Sequence, residues 1–306
     1  MQDNQRLIPV INCENEENMS VQMSSCCSRA KDFFKSLSVE PALFLILFGI
    51  GLESVFITNL WVDKICYFHF NYSKAICENI DSGKYPQEQM NVQQTTNQYN
   101  VYTAVMQHLP AVAVVLLLGT WSDKRGRKLP VIIPFTGYFL TSGSVTATVY
   151  WWTLPPEYLL MCYIPLAITG GLVGVYAAIY PYLSAVTSGR ARTSRISFIG
   201  VVIISSVTMG QATAIALYRE GGYVAIFGSQ ATLSLTAVIY SIMRLTDRPE
   251  NDTLMETSSE EGGVFHVLSP SHLKQTLLVV FKEREDGKRG NILGHILVMS
   301  LLVFIA

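Results

Sequence analysis

The sequence predicts an all-α polytopic membrane protein. Apolar residues make up 50% of the 306 residues, charged residues make up only 15%, and the mean hydropathy is +0.31. Soluble domains average about 25% charged residues. The charges avoid whole windows of about 20 residues, the length at which a helix crosses a hydrocarbon core of roughly 30 Å. Because helices satisfy their own backbone hydrogen bonds in lipid, we expect helices rather than barrel strands.

Six such windows are complete, and a seventh begins near Asn291 and is still apolar at Ala306. The complete windows are 41–60, 99–119, 130–151, 157–183, 197–218 and 223–243. They divide the chain into a disordered tail (1–40), a six-helix transmembrane bundle (41–245), a cytoplasmic central loop (246–290) and an incomplete seventh helix (291–306). The tail has no apolar stretch of the signal-peptide type, so we expect the first helix to direct insertion.

The distribution of Lys and Arg predicts a cytoplasmic N-terminus. Of the 22 cationic residues, 18 then lie on the cytoplasmic side, and Lys64, Lys74, Lys84 and Arg219 lie outside.

We expect a multi-pass protein of the plasma membrane, with the lysosomal membrane as the second choice. Residues 3–8 resemble an acidic dileucine sorting signal, and Cys26-Cys27 are candidates for palmitoylation, with reduced thiols as the alternative.

The predicted outer segment 61–97 carries two features of an extracytoplasmic loop. Asn71-Tyr-Ser73 is an N-glycosylation sequon, whereas the sequons at Asn18 and Asn251 fall on the cytoplasmic side. Cys66 and Cys77 share this segment, where oxidation is permitted. They pair with each other, or one pairs with a cysteine beyond the end of this chain, and spacing does not decide between the two.

A dense charge cluster, Gly119-Thr-Trp-Ser-Asp123-Lys-Arg-Gly126-Arg127-Lys128, joins the second and third windows. We expect Gly119 and Gly126 to permit close packing, and Asp123 to offer a carboxylate. Arg127 and Lys128 can bond carboxylates or the carbonyls at helix C-termini. Bonds that form in one conformation and break in another would make this cluster a gate. The alternative is a static positive loop.

The cluster occurs together with Val39-Glu40-Pro41 and with Arg190-Ala-Arg192-Thr-Ser-Arg195, and this combination resembles the proton-coupled folate transporter family, in an invertebrate-type member. The resemblance implies a major facilitator fold of twelve helices, of which this chain holds the N-terminal six-helix bundle and the start of helix 7. It also implies transport of an organic anion, folate-like or other, coupled to protons. An acidic residue of that family is replaced here by Gly200, and an aspartate by Ala185.

Ionisable and polar residues inside the windows are candidates for the transport site. Glu53 and then His108 are candidates for proton coupling, because an ionisable group in the membrane is costly and imidazole titrates near neutrality. The alternatives are a structural hydrogen bond or a reach to the outer surface for Glu53, and neutral packing for His108. The substrate-cavity candidates are Tyr176, Tyr180 and Gln211. The inner-loop cations Arg190, Arg192 and Arg195 enforce the orientation or pair with inner helix ends.

No enzyme motif is present: the sequence lacks a phosphate-binding loop, a His-Glu-x-x-His pair and a Gly-x-Ser-x-Gly elbow. We therefore expect no enzyme, no cofactor and no metal, and an ion gradient as the energy source. The expected partners are a small organic solute, protons and the lipid bilayer, with no nucleic acid. The sequence predicts a secondary transporter that works by proton-coupled symport and alternating access. The alternatives are an uncoupled carrier, and a non-transporting sensor or truncated regulatory product.

Overall fold

A computed structural model describes residues 37–187 and 189–245, and these are helical with short connections. The helices are α1 (Glu40–Lys64), α2 (Lys74–Cys77), α3 (Pro86–Arg125), α4 (Lys128–Tyr150), α5 (Pro156–Met161), α6 (Ile164–Ile168), α7 (Gly171–Val186) and α8 (Gly189–Arg244). Within this part of the chain there is no β-strand, which confirms the predicted all-α class. The dileucine-like segment, Cys26-Cys27, the sequons at Asn18 and Asn251, the central loop and the seventh helix lie outside the described residues.

Each of the six apolar windows lies in helical structure. Four described stretches are long and apolar enough to cross a membrane: Glu40–His69, Lys128–Tyr150, Pro156–Val186 and Arg192–Arg244. The window 99–119 lies in α3, which is not among these four. The last stretch has 53 residues, enough for two crossings at about 20 residues each. It is interrupted at Gly221 and Gly222, where Gly222 takes a left-handed φ of 60°.

The apolar window predicted over 157–183 lies within one candidate membrane crossing, Pro156–Val186, but this crossing is divided into three helices. The chain forms α5, α6 and α7 there, with breaks near Tyr163 and Gly170. Pro165, in the first turn of α6, has no backbone N–H to continue the hydrogen bonding of α5. Gly170 and Gly171 follow with φ values of 91° and 52°, which glycine adopts without steric cost.

The outer segment 61–97 is also more helical than a loop. The helix of α1 continues as a π-helical turn over Ile65–His69, and α2 and a 3₁₀ turn at Ile80–Ser82 follow. Cys66 and Cys77 form a disulfide with a Cα–Cα distance of 5.8 Å, which selects the first of the two predicted pairings. This bond holds the outer segment against the end of α1.

Close packing between α1 and α8 forms the centre of the bundle. A Cβ atom on Gly210 would overlap the carbonyl of Phe48 and lie 3.0 Å from the Cα of Gly51. A Cβ on Gly51 would likewise overlap the carbonyl of Val207. Two glycines therefore let the two backbones cross in direct contact, as small residues do in membrane helices. This crossing fixes the depth at which polar side chains of the two helices meet.

Candidate functional site

Glu53 occupies the middle of α1 and is held by two side chains from different parts of the bundle. The hydroxyl of Tyr163, between α5 and α6, donates to Oε1 at 2.9 Å. The amide Nε2 of Gln230, in the second half of α8, donates to Oε2 at 2.6 Å. No Lys or Arg pairs with Glu53 in the described part of the chain. The carboxyl group is therefore bound by neutral donors, which leaves its charge uncompensated.

Gln230 is almost fully buried, with 1% of its surface exposed, and its Oε1 has no hydrogen-bond partner among the described residues. Gly49, one turn before Glu53, makes room for it, because a Cβ there would lie 3.0 Å from the Cγ of Gln230. The Nε2 of Gln230 is thus bonded to Glu53, and its Oε1 remains available as an acceptor among the described residues.

One face of α1 is polar and exposed beside this carboxyl. Ser54, Thr58 and Asn59 are exposed at helical spacing. Gln211 of α8 donates from Nε2 to the hydroxyl of Ser54 at 3.3 Å, immediately next to the glycine crossing. The predicted cavity residue Gln211 therefore contacts the residue that follows the predicted coupling residue Glu53 in α1. A polar face of this kind is unfavourable against lipid, so it indicates a hydrated or protein-covered surface.

The remaining membrane candidates lie apart from this group. The rings of Tyr176 and Tyr180 share one face of α7, with centroids 6.5 Å apart. Among the described residues no hydrogen bond or ring contact joins them to Gln211. His108 is exposed on α3 between Val105 and Val112 and makes no hydrogen bond to Glu53.

The charge cluster between α3 and α4 binds the C-terminal ends of two other helices. Gly126 ends α3 with a φ of 103° that favours glycine. Arg127 donates to the carbonyl of Pro181 near the end of α7, at 2.8 Å. Lys128 donates to the carbonyl of Ile242 in the last turn of α8, also at 2.8 Å. Cations are stabilised at these negative helix ends.

Gly119 and Asp123 are the other two residues that the sequence analysis assigned to the gate. The space around Gly119 is open, so close packing does not explain that glycine. The side chain of Asp123 lies outside the description. Among the side chains of the cluster that the structure describes, Arg127 and Lys128 make the contacts to the bundle.

The inner-loop cations have separate roles. Arg195 forms a buried ion pair with Glu40, with Nε 3.6 Å from Oε1. Oε2 of Glu40 accepts the backbone N–H groups of Ser38 and Val39 at 2.8 and 3.0 Å. Arg192 donates to the carbonyls of Ser184 and Thr187 at the end of α7. The side chain of Arg190 is not described.

At the C-terminal end of α1, two adjacent residues bind different helices. Asp63 accepts a hydrogen bond of 2.6 Å from the hydroxyl of Tyr223, directly after the break in α8. Lys64 points to the end of α4, where it meets backbone carbonyls. The outer end of α1 is thus tied to both α4 and α8.

Sequence reasoning did not identify the partners of the charged residues on α1. Glu40 entered only as part of a motif, and Lys64 only as an outer charge. Tyr163 and Gln230 were not singled out, although an amide in the window 223–243 is the kind of polar residue that signals a hydrogen bond inside a bundle. Their partners are distant in sequence, and spacing alone does not pair them.

Comparison with known proteins gives a family match and a set of relatives. The Major Facilitator Superfamily pattern matches residues 85–306. The "Probable peptidoglycan muropeptide transporter SLC46" of Drosophila melanogaster is 20% identical over 278 residues, which cover 88% of this chain and 53% of the relative. The "Lysosomal proton-coupled steroid conjugate and bile acid symporter SLC46A3" of Pongo abelii is 24% identical over 277 residues, covering 88% and 58%.

The "Proton-coupled folate transporter" of Bos taurus is 28% identical over 168 residues, covering 54% of this chain and 36% of the relative. The resemblance predicted from the three motifs is thereby confirmed. The chain spans about half the length of the curated relatives with which it shares most of its sequence. All three of these relatives are named as transporters or symporters. On the match of residues 85–306, together with the all-α membrane-spanning fold, this chain belongs to the Major Facilitator Superfamily.

Proposed function

We propose that the protein moves an organic solute together with protons by alternating access, and that this chain supplies the N-terminal half of the carrier. The observation that carries the proposal is the position of Glu53. It lies in the middle of a membrane helix, without a cationic partner in the described structure, between side chains from two other segments. A carboxyl group so placed is a candidate for carrying a proton across the bilayer.

The surroundings of Glu53 suit both of its protonation states. The charged carboxylate accepts hydrogen bonds from Tyr163 and Gln230. The protonated acid needs an acceptor for its O–H, and the buried Oε1 of Gln230 is available for this role. A rotation of the amide by half a turn exchanges its donor for its acceptor. A proton-coupling site requires this ability to hold and to release the proton.

The solute path in this proposal runs along the polar face of α1. Ser54, Thr58 and Asn59 are exposed there, and Gln211 joins them from α8. In a two-halved carrier the solute binds between the halves, near the middle of the bilayer. The polar face is at the depth of Glu53, so a solute bound against it would lie beside the proton-carrying group. The ring pair Tyr176 and Tyr180 is the proposed stacking surface for a cyclic solute.

The gate in this proposal is the pair Arg127 and Lys128. Their bonds to the carbonyls of Pro181 and Ile242 join the start of α4 to the inner ends of α7 and α8. Breaking these two bonds would free three inner helix ends relative to one another. In this proposal the gate therefore acts at the cytoplasmic side of the bundle.

The relatives suggest the class of solute. Two of them are named as proton-coupled carriers, of folate and of steroid conjugates and bile acids, and a third as a transporter of muropeptides. Bile acids are organic anions, and we propose an organic anion as the first substrate class to test. The proposed location is the plasma membrane or the lysosomal membrane, with the N-terminus in the cytoplasm.

The test is uptake by cells that express the complete coding sequence, with and without an inward proton gradient. The solutes are folate, a steroid sulfate, a bile acid and a muropeptide, in labelled form. Glu53→Gln keeps the size of the side chain and one acceptor oxygen, but the amide replaces the second acceptor with a donor and does not bind or release a proton near neutral pH. We expect this variant to reach the membrane and to lose stimulation by the gradient. The matched control is Glu157→Gln, at the outer end of α5. Unchanged stimulation in Glu53→Gln would rule out Glu53 as the coupling group.

An uncoupled carrier is the second candidate, and the observation that favours it is Gly200. The family places an acidic residue there, and the open space around Gly200 would accommodate one. Solute uptake that is independent of the proton gradient in the unmodified protein would establish this second function.

A further inference from the structure

A cavity of about 580 Å³ lies at the outer face, away from Glu53. Its walls are the last turns of α1, the segment Glu78–Ser82 and the polar first half of α3, with Tyr223 at one side. The disulfide partner Cys77 also lines it, so the Cys66–Cys77 bond fixes one wall. Thr58 and Asn59 of the proposed solute path also line it, whereas Glu53, Ser54 and Gln211 do not.

The lining of the cavity contains three carboxylates and no Lys or Arg. Asp63 accepts from Tyr223, and Asp81 accepts from Gln89 at 3.2 Å. Glu78 pairs with Lys74 at 3.5 Å, but both side chains are more than half exposed, and exposed pairs neutralise charge weakly. Each of these contacts engages one oxygen of its carboxylate. The cavity therefore has a negative potential and further acceptor capacity.

Thr96 provides an independent indication that a ligand belongs here. It lines the cavity, only 3% of its surface is exposed, and its hydroxyl has no hydrogen-bond partner among the described residues. A helical threonine ordinarily donates to the carbonyl four residues earlier, as Thr103 does to Tyr99. A buried hydroxyl without a partner is unfavourable. A polar ligand atom in the cavity would restore its hydrogen bond.

The chemistry of the lining selects the ligand class. An anion is repelled by the three carboxylates, so an anionic transport substrate does not fit here. Within the described residues no group of three His, Cys, Asp or Glu side chains is placed to hold a metal ion. An ammonium group supplies three N–H donors, which match the carboxylate oxygens and the hydroxyl oxygen of Thr96. We propose that this outer cavity binds an organic cation that carries a primary ammonium group.

The experiment measures binding to the protein expressed from its complete coding sequence and reconstituted in nanodiscs. The probe is 1,4-diaminobutane, titrated by saturation-transfer NMR. Butane-1,4-diol and succinate have the same chain length with neutral and anionic ends. We expect saturable binding of the diamine, and binding of the diol and of succinate weaker by about tenfold or more, as loss of charge-assisted hydrogen bonds implies.

Variants locate the binding in the cavity. Thr96→Val and Asp81→Asn should each weaken diamine binding several-fold, while Thr96→Ser should retain it. The matched control is Glu88→Gln, which removes the same charge from the first turn of α3 but lies outside the cavity lining. The control should bind like the unmodified protein. If Thr96→Val does not elute as folded protein, the diamine binding of Asp81→Asn and Thr96→Ser tests the proposal instead.

Two results would overturn the proposal. One is the absence of saturable diamine binding to the unmodified protein. The other is equal diamine binding in Asp81→Asn and the unmodified protein. Because the readout is binding rather than uptake, failure here leaves the proposed transport function untouched, and failure of transport leaves this site untouched.

Discussion

Lys64 donates a hydrogen bond of 2.8 Å from its Nζ to the carbonyl of Trp152, and so ties the C-terminal end of α1 to the segment that follows α4. The same Nζ reaches the carbonyls of Thr148 and Leu154 at 3.1 and 3.0 Å. It also lies 4.8 Å from the ring centroid of Trp152. Only 1% of Lys64 is exposed, so one buried ammonium group satisfies three carbonyls at a helix end.

Replacing Lys64 with Met should destabilise the protein by about 2–4 kcal/mol, because three buried carbonyls lose a charged donor. The control is Lys74→Met, since the side chain of Lys74 is 78% exposed and its removal should change little. Thermal unfolding followed by size-exclusion fluorescence measures both. Equal melting temperatures for the two variants would contradict the structural role of Lys64.

The buried pair of Glu40 and Arg195 should show energetic coupling. Removing either partner takes the opposite charge away from a buried ionised group, and we expect each of Glu40→Gln and Arg195→Gln to cost about 3 kcal/mol. The double variant should cost less than the sum of the two, because no lone charge remains. A double-mutant cycle on melting temperatures tests this, and strict additivity would mean that the pair contributes no interaction energy.

Two glycines of α8 should respond in opposite directions to alanine. Gly210→Ala places a Cβ against the backbone of α1 and should cost about 1–3 kcal/mol, with loss of the contact between Ser54 and Gln211. Gly200→Ala meets open space and should be neutral or stabilising by up to about 1 kcal/mol, because alanine favours helix. Thermal unfolding of both variants distinguishes them. Similar values would show that the glycine crossing is not a tight contact in solution.

Asn71 should carry a glycan in cells. It is exposed, with a left-handed φ of 51°, at a turn between the π-helical segment and α2. Asn71→Gln should remove the shift in gel mobility that deglycosylation produces, while Asn18→Gln and Asn251→Gln should leave that shift unchanged. A glycan on Asn18 or Asn251 would reverse the predicted orientation.

Much of the fold follows from local sequence, because hydropathy determines which segments enter the membrane. The window 41–60 lies inside α1, and the windows 197–218 and 223–243 fall on either side of the glycine break in α8. The breaks inside 157–183 were missed because an apolar window does not distinguish one helix from three. Pro165 and Gly170-Gly171 were visible in the sequence, but tertiary packing decides whether such residues bend a helix or end it.

The site was predictable only in part. Glu53 and Gln211 stand out because polar residues are rare in apolar windows. In the structure Gln211 bonds to Ser54, the residue that follows Glu53. The partner Gln230 could not be assigned, because it lies 177 positions away and only the three-dimensional packing joins the two. Lys64 binds backbone carbonyls, which every residue has. The side chains of residues 148–154 therefore gave no sign of this contact in the sequence.

The polar contacts of α1 also affect how the protein is made. Glu40, Glu53 and Lys64 are synthesised first, but their partners lie at Arg195, at Tyr163 and Gln230, and at residues 148–154. At ribosomal rates of about 5–20 residues per second, α1 waits on the order of ten seconds or more for its last partner. Until then the polar groups of α1 lack the partners that they have in the folded bundle. We therefore expect the first helix to leave the insertion machinery only after the sixth apolar window has emerged.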